Sequence, residues 1–145
     1  KGYWNKAEKT AQEFRSDGYF ITGDIGRLDE EGYLTIVGRA KDLIISGGLN
    51  IYPKELELVL DEMSGVKESA VVGVYHPDFG EAVVAVLVSD GTKPPCDEVI
   101  MQQLKPLLAR FKQPKAIKWV AELPRNAMSK VQKNRLRETY TDVFR

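Results

Sequence analysis

Three short segments of the sequence combine residue types that could act on a nucleotide or a phosphate. In residues 22–24 (TGD) the Asp24 carboxylate follows a glycine at the end of an extended run, where it could accept hydrogen bonds from ribose hydroxyls. Residues 38–48 (GRAKDLIISGG) join fixed cations to glycines, which let a ligand approach the backbone closely. Residues 123–133 (LPRNAMSKVQK) place Lys130 in a polar, flexible stretch from which an ammonium group can reach a phosphate. Taken alone, residues 22–24 are better explained as an ordinary turn, and residues 38–48 are equally compatible with a plain strand and turn.

More general catalytic arrangements are not found in the sequence. It has no Walker phosphate loop, no nucleophile elbow and no cluster with metal-ligand spacing. The single histidine, His76, could act as a base beside Asp78, but no nucleophile is near it, which favours a structural role. The single cysteine, Cys96, follows two prolines and has no cationic neighbour that would activate it, so we expect an inert thiol. These counts exclude an internal disulfide and argue against a Cys/His zinc site, and we expect no metal ligands.

The 145 residues carry 21 basic and 21 acidic side chains, but the two signs are unevenly distributed. Residues 1–104 have a net charge of −8, and residues 105–145 have a net charge of +8. Such a basic segment could attract a nucleic acid, a nucleotide or a phosphorylated cofactor, or it could be a solvated surface. Nucleic acid is disfavoured because the basic segment lacks interleaved aromatic residues for base stacking. No apolar run is long enough to cross a membrane.

Residues 1–40 are predicted to form a helix and a hairpin with little core of their own. Asn5 is a candidate N-cap for a helix over 6–14, and an acidic turn at 29–32 joins extended runs at 19–28 and 33–37. Near residues 38–42 this pattern with little core gives way to the pattern of an α+β domain, which indicates a domain boundary.

The remaining residues predict an α+β domain with a small mixed three-stranded sheet packed against helices. The predicted strands are 69–75, 82–89 and 116–120, with a further short strand at 43–45. Three helices are predicted: one from Pro53 to Gly65, one starting near Asp97, and one over 133–144. The inner stripe of the second continues to Leu107, Leu108 and Phe111, and Pro106 is expected to kink or divide this helix.

In combination, the order and spacing of the three segments resemble the adenylate-forming superfamily, which contains acyl-CoA synthetases, non-ribosomal peptide adenylation domains and luciferases. Residues 2–5 (GYWN) resemble a further motif of the superfamily, and the resemblance covers essentially the whole chain. Residues 130–140 (KVQKNRLRETY) are similar to the bacterial malonyl-CoA synthetases in particular.

The resemblance implies an enzyme that activates a small carboxylic acid in two steps. The acid attacks the α-phosphate of ATP to give an acyl-adenylate and pyrophosphate, and the thiol of coenzyme A then displaces AMP. By this resemblance Lys130 is the catalytic lysine that bridges the carboxylate and the α-phosphate. Asp24 binds the ribose hydroxyls, Arg39 contacts the ribose or phosphate region, and Lys41 is the hinge about which the C-terminal domain rotates between the two steps.

The same resemblance assigns a second set of residues to coenzyme A. Gly47 and Gly48 line the tunnel for its pantetheine arm, and three basic residues are candidates for its nucleotide end unless they form a solvated surface: Arg110, Lys112 and Lys115. Two residues depart from the family pattern. Ser129 replaces the usual glycine before the catalytic lysine, and Ile45 stands where several relatives have a lysine that contacts AMP.

The resemblance also implies a division of the chain. Residues 1–40 correspond to the C-terminal tail of a large AMP-binding N-terminal domain, and residues 41–145 to a swinging C-terminal domain. The rest of the large domain, which holds the acyl pocket and the expected Mg2+ site, is not in this sequence, so we expect a fragment that is inactive alone. A cytoplasmic ligase of fatty acid metabolism fits best. A carrier protein or oxygen as the acyl acceptor, and a non-catalytic binding module, remain alternatives.

Overall fold

The computed structural model of the chain describes residues 2–145. The chain divides into two compact units, Lys1–Lys41 and Asp42–Arg145. No helix within the described residues has the length and the hydropathy that a membrane span requires.

The first unit consists of one short helix and one β-hairpin. Its elements are α1 (Ala7–Glu13), β1 (Asp24–Leu28) and β2 (Leu34–Arg39). The strands pair antiparallel, and the Asp29 carboxylate caps their turn by accepting the N–H groups of Glu31 and Tyr33. The predicted Asn5 cap is wrong: Lys6 is the N-cap residue, and Asn5 has a positive φ of 51°. No residue of α1 is buried, in agreement with the small core expected for this segment.

The second unit is built on a five-stranded sheet whose central strand is β6. A short 3-10 helix (Ala40–Asp42) leads into it, and a second 3-10 helix covers Arg110–Lys112. The regular elements are β3 (Ile44–Ser46), β4 (Leu49–Ile51), α2 (Pro53–Asp61), β5 (Val66–His76), β6 (Gly80–Ser89), α3 (Asp97–Leu104), β7 (Ala116–Val120) and α4 (Lys133–Thr139).

Strand β6 pairs antiparallel with β5 along its length and parallel with β7, and β3 joins it at the pair Ser46 and Gly80. The predicted α+β class and mixed sheet are confirmed. The sheet has five strands rather than three, because the short β3–β4 hairpin extends it.

Helices cover both faces of this sheet, so it has two apolar cores. Alternate residues of β5 and β6 point to opposite sides, as the two-residue period of a strand requires. One face packs against α2 and α3 through Val71, Val83, Ala85, Leu87, Leu56, Leu60, Ile100 and Leu104. The other face packs against α4 through Val72, Val84, Val86, Leu123 and Leu136. The loops of the second unit therefore leave a sheet that is packed on both faces.

Helix α3 is shorter than its apolar stripe predicts. It ends at Leu104, two residues before Pro106, which cannot donate the backbone hydrogen bond that a continuing helix needs. Leu108 is buried, but 62% of Leu107 and 39% of Phe111 are exposed, so the predicted inner stripe does not extend to these two residues.

Candidate functional site

Asp24 and Arg39 form an ion pair at the open end of the β1–β2 hairpin. Their positions are paired across the two strands, and Arg39 Nε lies 2.9 Å from Asp24 Oδ1. Arg39 Nη1 also donates to the backbone carbonyl of Thr22 at 2.7 Å. This contact holds the carboxylate beside Arg39, and a carboxylate has lone pairs enough on its two oxygens to accept further hydrogen bonds from a ligand. A guanidinium has five N–H donors, so Arg39 retains donors beyond these two contacts.

A cavity of about 620 Å³ adjoins this pair within the first unit. The Tyr3 hydroxyl at its rim donates to Glu13 Oε2 at 2.6 Å, and this hydrogen bond raises the pKa of Tyr3 above its usual value. The cavity is lined by Tyr3, Lys9, Glu13, Phe20, Thr22, Gly23, Asp24, Arg39, Ala40 and Lys41. A lining that contains both carboxylates and cations suits a sugar hydroxyl beside a phosphate.

Lys41 is the last residue of the first unit, and its neighbours in sequence are each anchored to a different unit. The N–H of Ala40 donates to the Gly23 carbonyl at 2.9 Å, within the first unit. Asp42 accepts a hydrogen bond of 2.9 Å from Arg137 on α4, within the second unit. The side chain of Lys41 is exposed. A change of backbone dihedrals confined to Lys41 would therefore leave both anchors intact.

Gly47 and Gly48 form the two-residue turn between β3 and β4. Their φ angles are +56° and +79°, and two-residue hairpin turns of type I′ require positive φ at both positions, which glycine adopts without steric cost. The N–H of Gly47 donates to the Phe79 carbonyl at 2.9 Å. A side chain on Gly48 would meet no atom within 4 Å, so nothing in the chain itself fills the space beside it.

The three basic candidates for the nucleotide end of coenzyme A differ in their surroundings. Lys112 is paired with Glu55 on α2 at 2.6 Å, so its charge is already compensated. Lys115 lies over the ring of Phe79, 5.4 Å from the centroid, and Phe79 in turn contacts the Gly47 turn. Arg110 is exposed. Of the three, Lys115 is the cation that the fold brings near the glycine pair.

Lys130 is exposed in a loop that makes several hydrogen bonds within itself. Arg125 and Val131 form an isolated antiparallel bridge at its base. The N–H of Asn126 donates to the Lys130 carbonyl, and Asn126 Oδ1 accepts the N–H of Lys130, both at 3.0 Å. The segment predicted to be polar and flexible thus contains local hydrogen bonds that the sequence analysis did not foresee. Asparagine side chains mimic a backbone turn in this way, and this known tendency was the signal available in the sequence.

Two long-range ion pairs connect this loop and the following helix to β5 and to α2, and neither was foreseen. Arg125 pairs with Glu68 on β5 and also donates from Nη1 to the Ser129 carbonyl at 2.7 Å. At the start of α4, Lys133 Nζ lies 2.6 Å from Glu57 Oε1 on α2. The same Glu57 oxygen accepts the N–H of Val71 at 2.9 Å. Glu57 is the one charged residue that is buried among those described.

The two remaining candidates from the sequence, His76 and Cys96, lie outside the cavity of the first unit. His76 lies between the rings of Phe79 and Phe144, and its Nδ1 accepts the N–H of Asp78. Cys96 is an exposed free thiol immediately before α3. Within residues 2–145, no three acidic, histidine or cysteine side chains are grouped so as to hold a metal ion. The fold thus brings Asp24, Arg39 and Lys41 to one cavity, whereas the glycine turn and Lys130 lie on separate loops.

These features agree with an established family. Residues 55–130 match the AMP-binding enzyme C-terminal domain, and the chain belongs to this family of adenylate-forming enzymes.

The relatives of the chain are acid–CoA ligases. It is 43% identical over 141 residues to the long-chain-fatty-acid–CoA ligase FadD13 of Mycobacterium tuberculosis, a match that covers 97% of this chain and 28% of the relative. It is 45% identical over 141 residues to the 2-succinylbenzoate–CoA ligase of Listeria monocytogenes, covering 97% of this chain and 29% of the relative. The chain thus spans less than a third of the length of these curated relatives.

Solved structures show the same fold. ATP-bound MatB from Rhodopseudomonas palustris superposes with a TM-score of 0.90 at 55% identity, covering 100% of this chain and 29% of MatB. The amide bond synthetase McbA from Marinactinospora thermotolerans superposes with a TM-score of 0.86 at 36% identity, covering 96% of this chain and 28% of McbA.

Proposed function

We propose that the chain is the C-terminal part of an ATP-dependent acid–CoA ligase, which forms an acyl-adenylate and then an acyl-CoA thioester. The observation that carries this proposal is Lys130, an exposed cation whose backbone N–H donates to Asn126 Oδ1, and which we assign as the catalytic lysine on the resemblance of its segment to the family. The CoA ligases among the relatives, at 43–45% identity, support the reaction class.

Lys130 stabilises the charge that develops during adenylation. When the acid attacks the α-phosphate, negative charge grows on the phosphoryl oxygens, and a preorganised ammonium group lowers the barrier. Removal of such a contact costs about 100- to 1,000-fold in rate. Arginine keeps the charge but not the compact geometry of the ammonium group, so it restores activity only in part.

The cavity of the first unit is proposed as the nucleotide site. Asp24 accepts hydrogen bonds from the ribose hydroxyls, and Arg39 and Lys41 supply positive charge for the phosphates. The residues present fit ATP because the cavity lining offers both a carboxylate acceptor and cations. Mg2+ is not assigned here, since the described residues hold no cluster of metal ligands.

The second half-reaction is assigned to the glycine turn. We propose that residues 1–40 belong to the large AMP-binding domain and that residues 41–145 rotate about Lys41. This rotation exchanges Lys130 for Gly47 and Gly48, whose lack of side chains leaves room for the pantetheine arm, with Lys115 near its nucleotide end. The anchors of Ala40 and Asp42 on either side of Lys41 support a hinge at that residue.

The acid is proposed to be malonate or another small carboxylic acid. Support comes from residues 130–140, which resemble the corresponding segment of bacterial malonyl-CoA synthetases. The chain is also 55% identical to MatB, which exceeds its identity to the curated ligases named above. By the family resemblance we place the acyl pocket in the large N-terminal domain, so an acid screen of the parent enzyme with pyrophosphate detection tests the choice. Malonate is rejected as substrate if another acid gives the higher kcat/KM.

The cellular setting proposed is the cytoplasm, in fatty acid metabolism. An exposed free cysteine is compatible with a reducing compartment, and the ligase for long-chain fatty acids among the relatives suggests the metabolic context.

A second candidate is an adenylating enzyme that delivers its acyl group to another acceptor. This candidate is supported by the similarity of the chain to McbA, which has this fold and is an amide bond synthetase. The test incubates the parent enzyme with ATP and the preferred acid, with and without CoA, and analyses the products by mass spectrometry. A thioester formed with turnover supports the ligase. An acyl-adenylate that CoA does not consume supports the second candidate. The 145-residue chain alone is expected to form neither product.

A further inference from the structure

We propose that Asn126 is a positioning residue for adenylation, because it fixes the backbone from which Lys130 projects. This inference rests on the proposed function of Lys130 and adds a residue that does not itself touch the substrate.

Asn126 makes four hydrogen bonds, and every partner belongs to the segment 128–130. Its N–H donates to the Lys130 carbonyl at 3.0 Å, and its carbonyl accepts the N–H of Ser129 at 2.9 Å. Its side-chain Oδ1 accepts the N–H of Met128 at 2.9 Å and that of Lys130 at 3.0 Å. Both polar groups of the Lys130 backbone are therefore held by a single residue.

The backbone conformation of the loop 126–130 is not one that its residues adopt by intrinsic preference. Ser129 has a φ of +59°, in the left-handed region that residues other than glycine rarely adopt. Such a conformation persists only where surrounding contacts over-determine it. Here the contacts come from Asn126 and from Arg125, which donates to the Ser129 carbonyl.

Position matters for Lys130 because its side chain is long and carries its charge at the tip. A lysine side chain has four rotatable carbon–carbon bonds, so its ammonium group can occupy many positions. A backbone that is not held in one conformation increases that number further. A misplacement of about 1 Å in a catalytic group can cost on the order of 100-fold in rate. Asn126 is itself outside the two apolar cores, so its replacement is expected to disturb the loop rather than the fold.

The test compares variants of the parent enzyme in the two half-reactions measured separately. Asn126→Ala removes the side-chain acceptor, and Asn126→Thr supplies a hydroxyl that can make the same turn more weakly. Asn134→Ala is the matched control, since Asn134 is exposed on α4, four residues beyond Lys130. Lys130→Ala is measured in parallel. Adenylation is followed by pyrophosphate release, and thioester formation from supplied acyl-adenylate.

Asn126→Ala is expected to lower the kcat of adenylation by about 10- to 100-fold and to leave KM for ATP nearly unchanged. Thioester formation is expected to stay within about twofold, because Lys130 takes no part in it. Asn126→Thr should recover part of the loss, and Asn134→Ala should lose nothing.

Three outcomes overturn the inference or its basis, and they can be told apart. If Asn126→Ala adenylates at the parent rate while Lys130→Ala does not, positioning by Asn126 is refuted and the proposed function stands. If Asn126→Ala lowers both half-reactions equally, or Asn126→Thr recovers nothing, the residue has only a structural role. If Lys130→Ala itself adenylates normally, the proposed function fails.

Discussion

Replacing Lys133 by methionine should destabilise the second unit far more than a surface lysine substitution. The Glu57 carboxylate is nine-tenths buried, and Lys133 Nζ at 2.6 Å is its charge partner. Removing one partner of a fully buried ion pair costs about 3–5 kcal/mol, because the other charge is left uncompensated. In this chain 18% of the Lys133 side chain is exposed, and Glu57 still accepts the N–H of Val71 after the substitution. We therefore expect the free energy of unfolding to fall by about 2–3 kcal/mol.

The chain offers a matched control and a rescue. Lys112→Met breaks the more exposed pair with Glu55 and should cost less than about 1 kcal/mol. Adding Glu57→Gln to Lys133→Met removes the stranded charge while its amide oxygen can still accept from Val71, so most of the lost stability should return. Urea unfolding measures each change as a shift of the midpoint at constant slope. The reasoning is refuted if Lys133→Met costs no more than Lys112→Met, or if the double variant is less stable still.

Three further substitutions test local features. Ser129→Gly should stabilise the chain by about 0.5–1 kcal/mol in urea unfolding, because relief of a left-handed φ outweighs the entropy of glycine; a loss of stability would contradict this. Gly48→Ala should cost about 1–2 kcal/mol by the same assay through its φ of +79° alone, since no atom lies within 4 Å of the added methyl group; an unchanged midpoint would contradict it. The hydrogen bond from the Thr92 hydroxyl, and then that from its N–H, lowers the pKa of Asp90, so Thr92→Val should raise that pKa in an NMR titration, and no rise would contradict the assignment. Because the folded-state pKa of Asp90 is lowered, its contribution to stability is present above the unfolded-state pKa of the carboxyl group and is lost as the pH falls through the folded-state value.

Local sequence signals predicted most of the second unit. The apolar face of Leu56, Leu60 and Met63 indicated α2, and the β-branched runs indicated β5 and β6. Strand β4 was missed because three residues carry too little periodicity to detect. The inner stripe of α3 was extended too far because apolar spacing continued past Pro106, where the backbone could not follow.

The sequence analysis named single residues of the site, but the contacts that hold them come from the fold. The pairing of Asp24 with Arg39 depends on the register of a hairpin, and that of Glu57 with Lys133 joins residues far apart in the chain. No local pattern marks such pairs. The four hydrogen bonds of Asn126 are different, since an asparagine at the start of a turn is a local signal that could have been used.

The central claim is that Lys130 acts in adenylation and not in thioester formation. The most direct measurement is the rate of both half-reactions for Lys130→Ala in the parent enzyme, with acyl-adenylate supplied for the second. We predict a loss of about 100- to 1,000-fold in adenylation and a thioester rate close to that of the unsubstituted enzyme. Adenylation at an unchanged rate, or an equal loss in both half-reactions, would contradict the account.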